Sequence, residues 1–164
     1  MKNATAHLLH GFIGAGKTTY ARQLEQSLPA LRFTRDEWMH ALYGANATAA
    51  DFDERWQVVS VLIWATALRA LALGNDVVLD FGFWTRASRD EARARLVSAG
   101  VPWVLHALEA DTATLRERVA ARNLVLPPDT FFTDTRTFER CYTCFEPLAA
   151  DEPHHRVCPA GGGI

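Results

Sequence analysis

The chain has few cysteines and no excess of positive charge. Its 164 residues include three cysteines, Cys141, Cys144 and Cys158, and carry a formal net charge of -2. A small, odd number of cysteines in a chain long enough to build its own core indicates reduced thiols, so we expect a cytoplasmic protein. The lack of a basic excess disfavours a protein whose main task is to neutralise a nucleic-acid backbone, although a nucleic-acid partner stays open.

Long hydrophobic runs are also missing. The longest apolar stretch, residues 58–73, is interrupted by Ser60, Thr66 and Arg69. It is too short to span a bilayer comfortably, so we expect a buried helix and no membrane partner. Residues 1–7 contain no apolar segment of signal-peptide length. The chain length suits one domain, expected over residues 1–160, and the glycine-rich residues 161–164 are expected to form a flexible tail.

The most informative feature is a glycine-rich motif near the start, where residues 11–18 read G-x-x-x-x-G-K-T. A short apolar strand is predicted before it, at residues 7–10, and a helix after it, at residues 18–28. This context is typical of a phosphate-binding loop, in contrast to a glycine-rich turn without a ligand. Lys17 would reach the β- and γ-phosphates and the Thr18 hydroxyl would hold Mg²⁺, so ATP and Mg²⁺ are the expected cofactors. The predicted nucleotide contacts are Gly11, Phe12, Ile13, Gly14, Ala15, Gly16, Lys17, Thr18, Thr19 and Arg122.

Strand and helix patterns alternate along the rest of the chain, which favours a parallel sheet with helices on its faces. Further strands are predicted at residues 31–34, 77–79 and 103–108, with a weak last strand near Val157. Helices are predicted at residues 36–43, from Asp51 to Gly74, at 86–99, from 111 to about Arg122, and, less regularly, within 131–145. Loops are predicted at residues 46–50 and 81–85.

Polar residues follow two of these strands. Arg35 and Asp36 come after the second strand, and Asp80 comes after the third. Because ligands bind at the carboxyl ends of parallel strands, these residues are candidates for the site. Either aspartate could instead be a helix N-cap. Phosphoryl transfer needs a carboxylate that orients the acceptor hydroxyl, and Asp36 is well placed to accept a hydrogen bond from such a hydroxyl.

The helix that ends near residue 122 carries Arg116, Arg118 and Arg122. Arg118 and Arg122 are four residues apart, share a helix face, and precede a loop that could close as a lid. An arginine brought over the γ-phosphate stabilises the transition state. For any one of these arginines, the alternative to a role over the γ-phosphate is an ion pair with Glu117 or exposure to solvent.

Two further groups of residues have alternative interpretations. Trp38 and Trp84 follow the candidate aspartates closely enough to stack on a planar acceptor, but tryptophans usually belong to the core. Cys141 and Cys144 form a C-x-x-C pair that, together with Cys158, His154 and His155, could bind structural zinc. The spacing lacks a second tight cysteine pair, so helix packing is the favoured interpretation.

Four motifs stand in a fixed order along the chain. They are Leu9-His10-Gly11 with Lys17-Thr18-Thr19, Thr34-Arg35-Asp36-Glu37-Trp38, Asp80-Phe81-Gly82-Phe83-Trp84 with Arg89, and Arg116-Glu117-Arg118 with Arg122-Asn123. Together they resemble one family, that of small bacterial P-loop kinase-like proteins often described as AAA family ATPases. This family is similar to polynucleotide kinase, zeta toxins and chloramphenicol phosphotransferase, and the resemblance covers residues 6–150.

The resemblance implies a fold and a set of roles. The implied fold is α/β, a P-loop NTPase of the nucleoside- and nucleotide-kinase type with a five-stranded parallel sheet of order 2-3-1-4-5, helices on both faces and a short lid. The expected catalytic residues are Lys17, Asp36, Arg118 and Arg122. The expected substrate contacts are Arg35, Asp36, Trp38, Asp80, Trp84 and Arg89, and the expected metal contacts are Thr18 and Asp80.

These features favour an ATP-dependent phosphotransferase that moves the γ-phosphate of Mg-ATP to a hydroxyl of a small-molecule or nucleotide-like acceptor. One alternative is an ATP- or GTP-hydrolysing switch. It is disfavoured because Phe81 follows Asp80 where motor ATPases place an acidic residue, and because no N-K-x-D motif is present. A nucleotide-binding toxin or regulatory protein and a nucleic-acid 5′-end kinase are further alternatives.

Overall fold

A computed structural model of the chain describes residues 4–45 and 50–157. Most of the loop predicted at 46–50 lies outside the described residues, as do Cys158 and the tail predicted at 161–164. Five strands are present: β1 (Ala6–His10), β2 (Ala30–Thr34), β3 (Asp76–Gly82), β4 (Trp103–Leu108) and β5 (His155–Val157). The helices are α1 (Lys17–Ser27), α2 (Arg35–Tyr43), α3 (Phe52–Ala72), α4 (Arg86–Ser98), α5 (Thr112–Leu124) and α6 (Thr135–Tyr142).

The five strands form one sheet in the order β2-β3-β1-β4-β5, and every pair is parallel. The predicted strand order is therefore confirmed, including the weak last strand, where Val157 pairs with Leu108. Parallel neighbours need crossover connections, and the helices between successive strands supply them.

Helices cover both faces of the sheet because successive side chains of a strand point to opposite sides. On one face Leu8 and Leu79 pack into the large core that α3 and α4 complete with residues such as Ile63 and Leu96. On the other face Leu9 and Val78 pack against α1, where Ala21 is fully buried. The neighbouring strands β1 and β3 are consequently buried on both faces, as is typical of a parallel sheet covered by helices on its two sides.

Two predicted boundaries are wrong. The strand predicted at residues 77–79 runs on to Gly82, so Asp80 lies inside β3 and not after it. It does so because β3 lies between two partners, with Thr34 opposite Asp80 and His10 opposite Gly82. The helix predicted within 131–145 is α6 alone, because Asp134 caps it by accepting a 2.7 Å hydrogen bond from the Thr137 amide.

The longest helix, α3, has 21 residues and one buried face. Val59, Ile63 and Ala67 are fully buried, whereas Val61 is 63% exposed. Over residues 4–45 and 50–157, no helix combines the length and hydrophobicity that a bilayer crossing requires.

Candidate active site

The site is built around the loop between β1 and α1. Gly14 and Gly16 have φ angles of 84° and 91°, in the left-handed region that only glycine adopts at low cost. Gly11 is needed for space, because an added Cβ would lie 2.7 Å from the carbonyl oxygen of Leu108. With Gly16 as the N-cap of α1, no cap side chain occupies the first amide groups of the helix. The loop is therefore shaped to receive an anion at a helix N-terminus.

Lys17 begins α1 and folds over its own loop. Its Nζ donates a 2.8 Å hydrogen bond to the carbonyl oxygen of Phe12. Burial lowers the pKa of Lys17 from its ordinary value, while the charges of Asp80 and Asp36 act in the opposite direction. The structure thus brings the loop lysine together with the two aspartates that the sequence analysis singled out.

Asp80 links the phosphate-binding loop to β2. The Thr18 hydroxyl donates to Oδ2 of Asp80 at 2.8 Å, and the Thr34 hydroxyl donates to the same oxygen at 3.3 Å. Asp80 is 7% exposed and lies in a central strand, so it is not a helix N-cap. A carboxylate and a hydroxyl beside a phosphate-binding loop are the oxygen donors that Mg²⁺ takes in such sites. Thr18 and Asp80 therefore fit the metal that the fold implies.

Asp36 lies in the first turn of α2. The N-cap of this helix is Thr34, so the cap interpretation of Asp36 is wrong. Burial raises the pKa of Asp36, the nearby charge of Asp80 adds to the increase, and the cations Lys17, Arg35 and Arg122 oppose it. A half-buried carboxyl group with a perturbed pKa, a second carboxylate and three cations is typical of functional sites.

Arg35 is held between two aromatic rings. Its guanidinium carbon lies 4.5 Å from the ring centre of Trp56 and 4.3 Å from that of Phe81. One terminal nitrogen donates a 2.6 Å hydrogen bond to the carbonyl oxygen of Phe81, and Nε is buried without a partner. Burial lowers the pKa of Arg35 to about 10. This predicted substrate residue is consequently rigid and next to Asp36.

The three arginines of α5 point in different directions. Arg122 is half-buried, and burial lowers its pKa while the charge of Asp36 acts against that change. Arg118 is exposed, with one terminal nitrogen 3.5 Å from the carbonyl oxygen of Gly14. Arg116 pairs with Glu139 at the surface. The structure therefore places Arg122 on the Asp36 side of the site and Arg118 beside the phosphate-binding loop.

Arg122 also contacts the segment between α5 and α6, residues 125–134, which contains no helix or strand. A terminal nitrogen of Arg122 donates to the hydroxyl of the buried Thr133 at 3.2 Å, and Nε is buried without a partner. The neighbouring Asn123 donates to the Thr133 carbonyl oxygen at 2.6 Å. Thr133 thus holds the end of this segment against the arginine.

The assignment of Arg89 to the substrate site is wrong. Its side chain is buried, and both Nε and one terminal nitrogen donate to Glu152 at 2.8 Å. The other terminal nitrogen donates to the carbonyl oxygens of Phe83, Trp84 and Glu146, each at 3.1 Å. These bonds hold the segment after α6 against α4. Because every guanidinium nitrogen already has a partner, Arg89 has no nitrogen left to donate to a substrate.

The two candidate stacking tryptophans also serve packing. The Trp84 indole donates to the carbonyl oxygen of Gly11 at 3.1 Å, and its ring packs on Phe12 at 5.1 Å. Trp38 packs beside Phe33 at 6.3 Å, at the border of the main core. Trp84 therefore supports the phosphate-binding loop through Gly11 and Phe12. Both tryptophans are half-buried, and stacking on an acceptor stays a prediction for them.

The cysteine pair does not form a metal site within the described part of the chain. Cys141 is half-buried and Cys144 is exposed, both as free thiols. Across residues 4–45 and 50–157, no group of three or more histidine, cysteine, aspartate or glutamate side chains could hold a metal ion. The third proposed cysteine, Cys158, lies outside these residues.

Three residues at the site were not predicted from the sequence. The Thr34 hydroxyl donates to Asp80, and this role could have been predicted because Thr34 is the last residue of a predicted strand, directly before Arg35. His40 follows Asp36 by one helical turn, so the spacing of the two residues could also have predicted that it lies near the site. Phe131, whose ring centre lies 4.3 Å from that of His40, had no signal, because it lies in a segment without a recognisable pattern.

Residues 7–148 match the model of a family described as an AAA domain. The chain belongs to this AAA domain family. A search of the curated proteins found no significant match.

Solved structures similar to this AAA domain protein are P-loop proteins of the kinase type. Kti12 of Chaetomium thermophilum, in complex with ADP-AlF3, is 18% identical with a TM-score of 0.70, over 94% of this chain and 89% of that chain. The APS kinase CysC of Mycobacterium tuberculosis, in complex with AMPPNP and APS, is 16% identical with a TM-score of 0.62, over 99% and 92%. A gluconokinase of Sinorhizobium meliloti is 15% identical with a TM-score of 0.63, over 99% and 86%. These likenesses confirm the predicted P-loop kinase fold.

Proposed function

We propose that the chain is a phosphotransferase that moves the γ-phosphate of Mg-ATP to a hydroxyl group of a small-molecule or nucleotide-like acceptor. The observation that carries the proposal is the placement of Asp36 beside Lys17 and Asp80, with Arg122 on the same side. Binding of Mg-ATP alone needs no second carboxylate at the position of Asp36, whereas a transferase needs one to orient the acceptor hydroxyl.

On the donor side, the amide groups of the loop and of the first turn of α1 bind the phosphates. Lys17, now bonded to the Phe12 carbonyl oxygen, turns its ammonium to the β- and γ-phosphate oxygens. Thr18 and Asp80 would hold Mg²⁺, which supplies neutralisation of the negative charge on the phosphates. The bound nucleotides of two proteins with this fold, ADP-AlF3 in Kti12 and AMPPNP in CysC, support nucleotide binding by this chain.

On the acceptor side, Asp36 accepts a hydrogen bond from the reacting hydroxyl and takes up its proton. Its raised pKa suits this role, because a base is most effective when its pKa approaches the working pH. Arg122 supplies positive charge at the transferring group, and its unpartnered Nε leaves a donor for a phosphate oxygen.

A hydrolysing switch is less well supported than a transferase. The residue after Asp80 is Phe81, which is 9% exposed and stacks on Phe83 at 5.6 Å. An apolar ring at that position does not activate water. Asp36, the base that we propose for transfer, lies instead in the first turn of α2.

The test compares nucleotide binding with transfer. Titration calorimetry with Mg²⁺ and AMPPNP measures binding, and γ-labelled ATP with a panel of sugars, nucleosides, antibiotics and oligonucleotide 5′ ends measures transfer. Asp36→Asn should lower transfer by about 100-fold or more, the usual contribution of a general base, and leave AMPPNP affinity nearly unchanged. Asp53→Asn, on the exposed first turn of α3, is the matched control. Full transfer by Asp36→Asn, or rapid ATP hydrolysis without any acceptor, would contradict the proposal.

A further inference from the structure

A row of side chains that contact one another begins beside Asp36 on α2, crosses the first turns of α3 and returns to α2. Two members lie on α2 on either side of Asp36 in the sequence, two lie on the first turns of α3, and one lies in the segment before α6. We call this set the acceptor ring. It consists of Arg35, His40, Phe52, Trp56 and Phe131.

The α3 side of the ring is aromatic. Trp56 carries the Arg35 guanidinium on its face at 4.5 Å. The rings of Trp56 and Phe52 are stacked, with centres 5.7 Å apart and an interplanar angle of 25°. These contacts connect Arg35 on α2 to the start of α3.

Phe131 closes the ring. It forms a T-shaped pair with Phe52, with ring centres 5.6 Å apart and an interplanar angle of 80°. It also contacts the His40 ring, with centres 4.3 Å apart and an interplanar angle of 43°. Phe131 therefore joins α3 to α2 one turn beyond Asp36. The contacts run from Arg35 through Trp56, Phe52 and Phe131 to His40, and helix α2 itself connects the two ends.

The ring contains polar atoms without partners. Among the described residues, four buried side-chain nitrogen atoms have no hydrogen-bond partner, and two of them, Nε2 of His40 and Nε of Arg35, belong to the ring. A third is Nε of Arg122, which also lies on the Asp36 side of the site. Buried polar atoms are nearly always satisfied, so a cluster of unpaired ones around a single carboxylate indicates that a ligand pairs with them.

The spacing on α2 defines what such a ligand must offer. His40 follows Asp36 by four residues, so the two side chains leave the same helix face about 5–6 Å apart at their Cβ atoms. A molecule whose reacting hydroxyl binds Asp36 places a second polar group, a few bonds away, beside Nε2 of His40. A monohydric alcohol would leave both His40 and Arg35 unpaired.

We propose that His40 binds the acceptor and that the acceptor is a small polyhydroxylated molecule of the carbohydrate class. The inference rests on the proposed phosphotransferase function and adds the substrate class. Hydroxyl groups match the separated polar atoms of Asp36, His40 and Arg35, and the C–H face of such a molecule matches the aromatic wall. This combination of an apolar lining and a few placed polar groups is typical of small-molecule sites.

The charges of the ring disfavour a nucleic-acid end. An acceptor rich in phosphate groups needs several free cations. The ring holds one arginine, and a terminal nitrogen of Arg35 already donates to the Phe81 carbonyl oxygen. Met39, which precedes His40 on α2, is 2% exposed and apolar.

The experiment uses the full chain, Mg²⁺ and γ-labelled ATP with three matched acceptor sets: monosaccharides and sugar acids, monohydric aromatic alcohols, and oligonucleotide 5′ ends. The wild-type protein should transfer phosphate to at least one member of the first set and prefer it to the other two. His40→Phe should raise KM for that acceptor by about tenfold, the effect of one lost hydrogen bond, and change AMPPNP affinity less than twofold. His40→Gln keeps a hydrogen-bonding nitrogen and should recover most of the loss. His155→Gln, on the exposed edge strand β5, is the matched control.

The outcomes separate the two proposals. Failure to bind AMPPNP refutes the phosphotransferase function and this inference with it. Binding of AMPPNP together with transfer only to oligonucleotides or monohydric alcohols, or with no transfer to the first set, refutes the substrate class alone. An unchanged KM for a polyhydroxylated acceptor in His40→Phe refutes the role of His40. If His40→Phe fails to fold, His40→Met takes its place, because it also removes the hydrogen-bonding nitrogen. A KM raised about tenfold in His40→Met and largely recovered in His40→Gln supports the inference, and a KM in His40→Met within twofold of the wild-type value overturns it.

Discussion

The buried ion pair between Arg89 and Glu152 offers a quantitative test of the corrected role of Arg89. Glu152 is 3% exposed and accepts two hydrogen bonds of 2.8 Å from Arg89. It also accepts one of 3.0 Å from Arg93 and one of 3.1 Å from the amide of Ala149. These bonds, chiefly those from Arg89, lower the pKa of Glu152 from 4.5 to about 2.

The size of the effect follows from the pKa. Each tenfold change in acid dissociation corresponds to about 1.4 kcal/mol. The difference between 4.5 and about 2 thus makes ionised Glu152 worth about 3 kcal/mol to the folded state. Loss of one partner of a buried ion pair independently costs about 3–5 kcal/mol, so the two routes agree.

The sign of the pH dependence is also determined. Because the pKa of Glu152 is lower in the folded protein, its contribution is complete above pH 4.5 and is lost as the pH falls towards 2. Glu152→Gln should therefore reduce the free energy of unfolding by about 3 kcal/mol at neutral pH. One pH unit below the ordinary pKa, the difference from the wild-type protein should shrink by about 1.4 kcal/mol.

Urea unfolding followed by tryptophan fluorescence measures both quantities, since the chain has five tryptophans. Glu91→Gln is the matched control: Glu91 is on α4, pairs with Arg95 and has a side chain 64% exposed, so its removal should cost less than about 1 kcal/mol. A stability difference for Glu152→Gln that stays constant on acidification would refute the reasoning. So would a variant of normal stability with lost transfer activity, which would return Arg89 to the substrate site.

Three further predictions concern the site itself. Asp36→Asn should raise the Tm of the nucleotide-free protein in scanning calorimetry, and more at pH 7 than at pH 4. The reason is that the pKa of Asp36 is raised from 3.8, so its ionised form destabilises the fold as the pH rises above that value. A lowered Tm at pH 7 would contradict this. Thr133→Val removes the hydroxyl that accepts a 3.2 Å hydrogen bond from Arg122. In calorimetric titration the preference for ATP over ADP should fall about three- to tenfold, the effect of one hydrogen bond. An unchanged preference would show that Thr133 does not contribute to nucleotide binding. Gly11→Ala places a Cβ 2.7 Å from the Leu108 carbonyl oxygen. It should lower the free energy of unfolding, measured in urea, by about 1–3 kcal/mol. An unchanged free energy of unfolding would show that the loop and β4 can move apart.

The donor half of the site could be predicted from the sequence because its determinants are local. The glycine-rich motif, the strand before it and the helix after it lie within residues 6–27, and each has its own pattern. The alternation of strands and helices predicted a parallel sheet. The strand order came from the resemblance of the motifs to a family, since residue patterns alone do not determine which strands are neighbours.

The misassigned and missed residues depend on contacts that are distant in the sequence. Arg89 lies on a helix among other charged residues, and its partner Glu152 is 63 positions later, in a segment without a motif. Phe131 follows a proline pair and contacts His40, which is 91 positions earlier. No periodicity or local motif encodes such pairs, because they form only when the sheet brings α2, α4 and the segments around α6 together.

Asp80 connects the start of α1 with the start of α2. Thr18 belongs to the first turn of α1 and Thr34 ends β2 directly before Arg35 and Asp36, and both hydroxyls donate to the same oxygen of Asp80. The central strand β3 therefore fixes the start of both helices through one carboxylate. Thr18 and Asp80 are also the residues that would hold Mg²⁺, which would neutralise charge on the phosphates. Under the proposed function, the bond from Thr34 to Asp80 connects the helix that carries the base Asp36 to these metal ligands, and a transferase needs such a fixed arrangement before the phosphate moves.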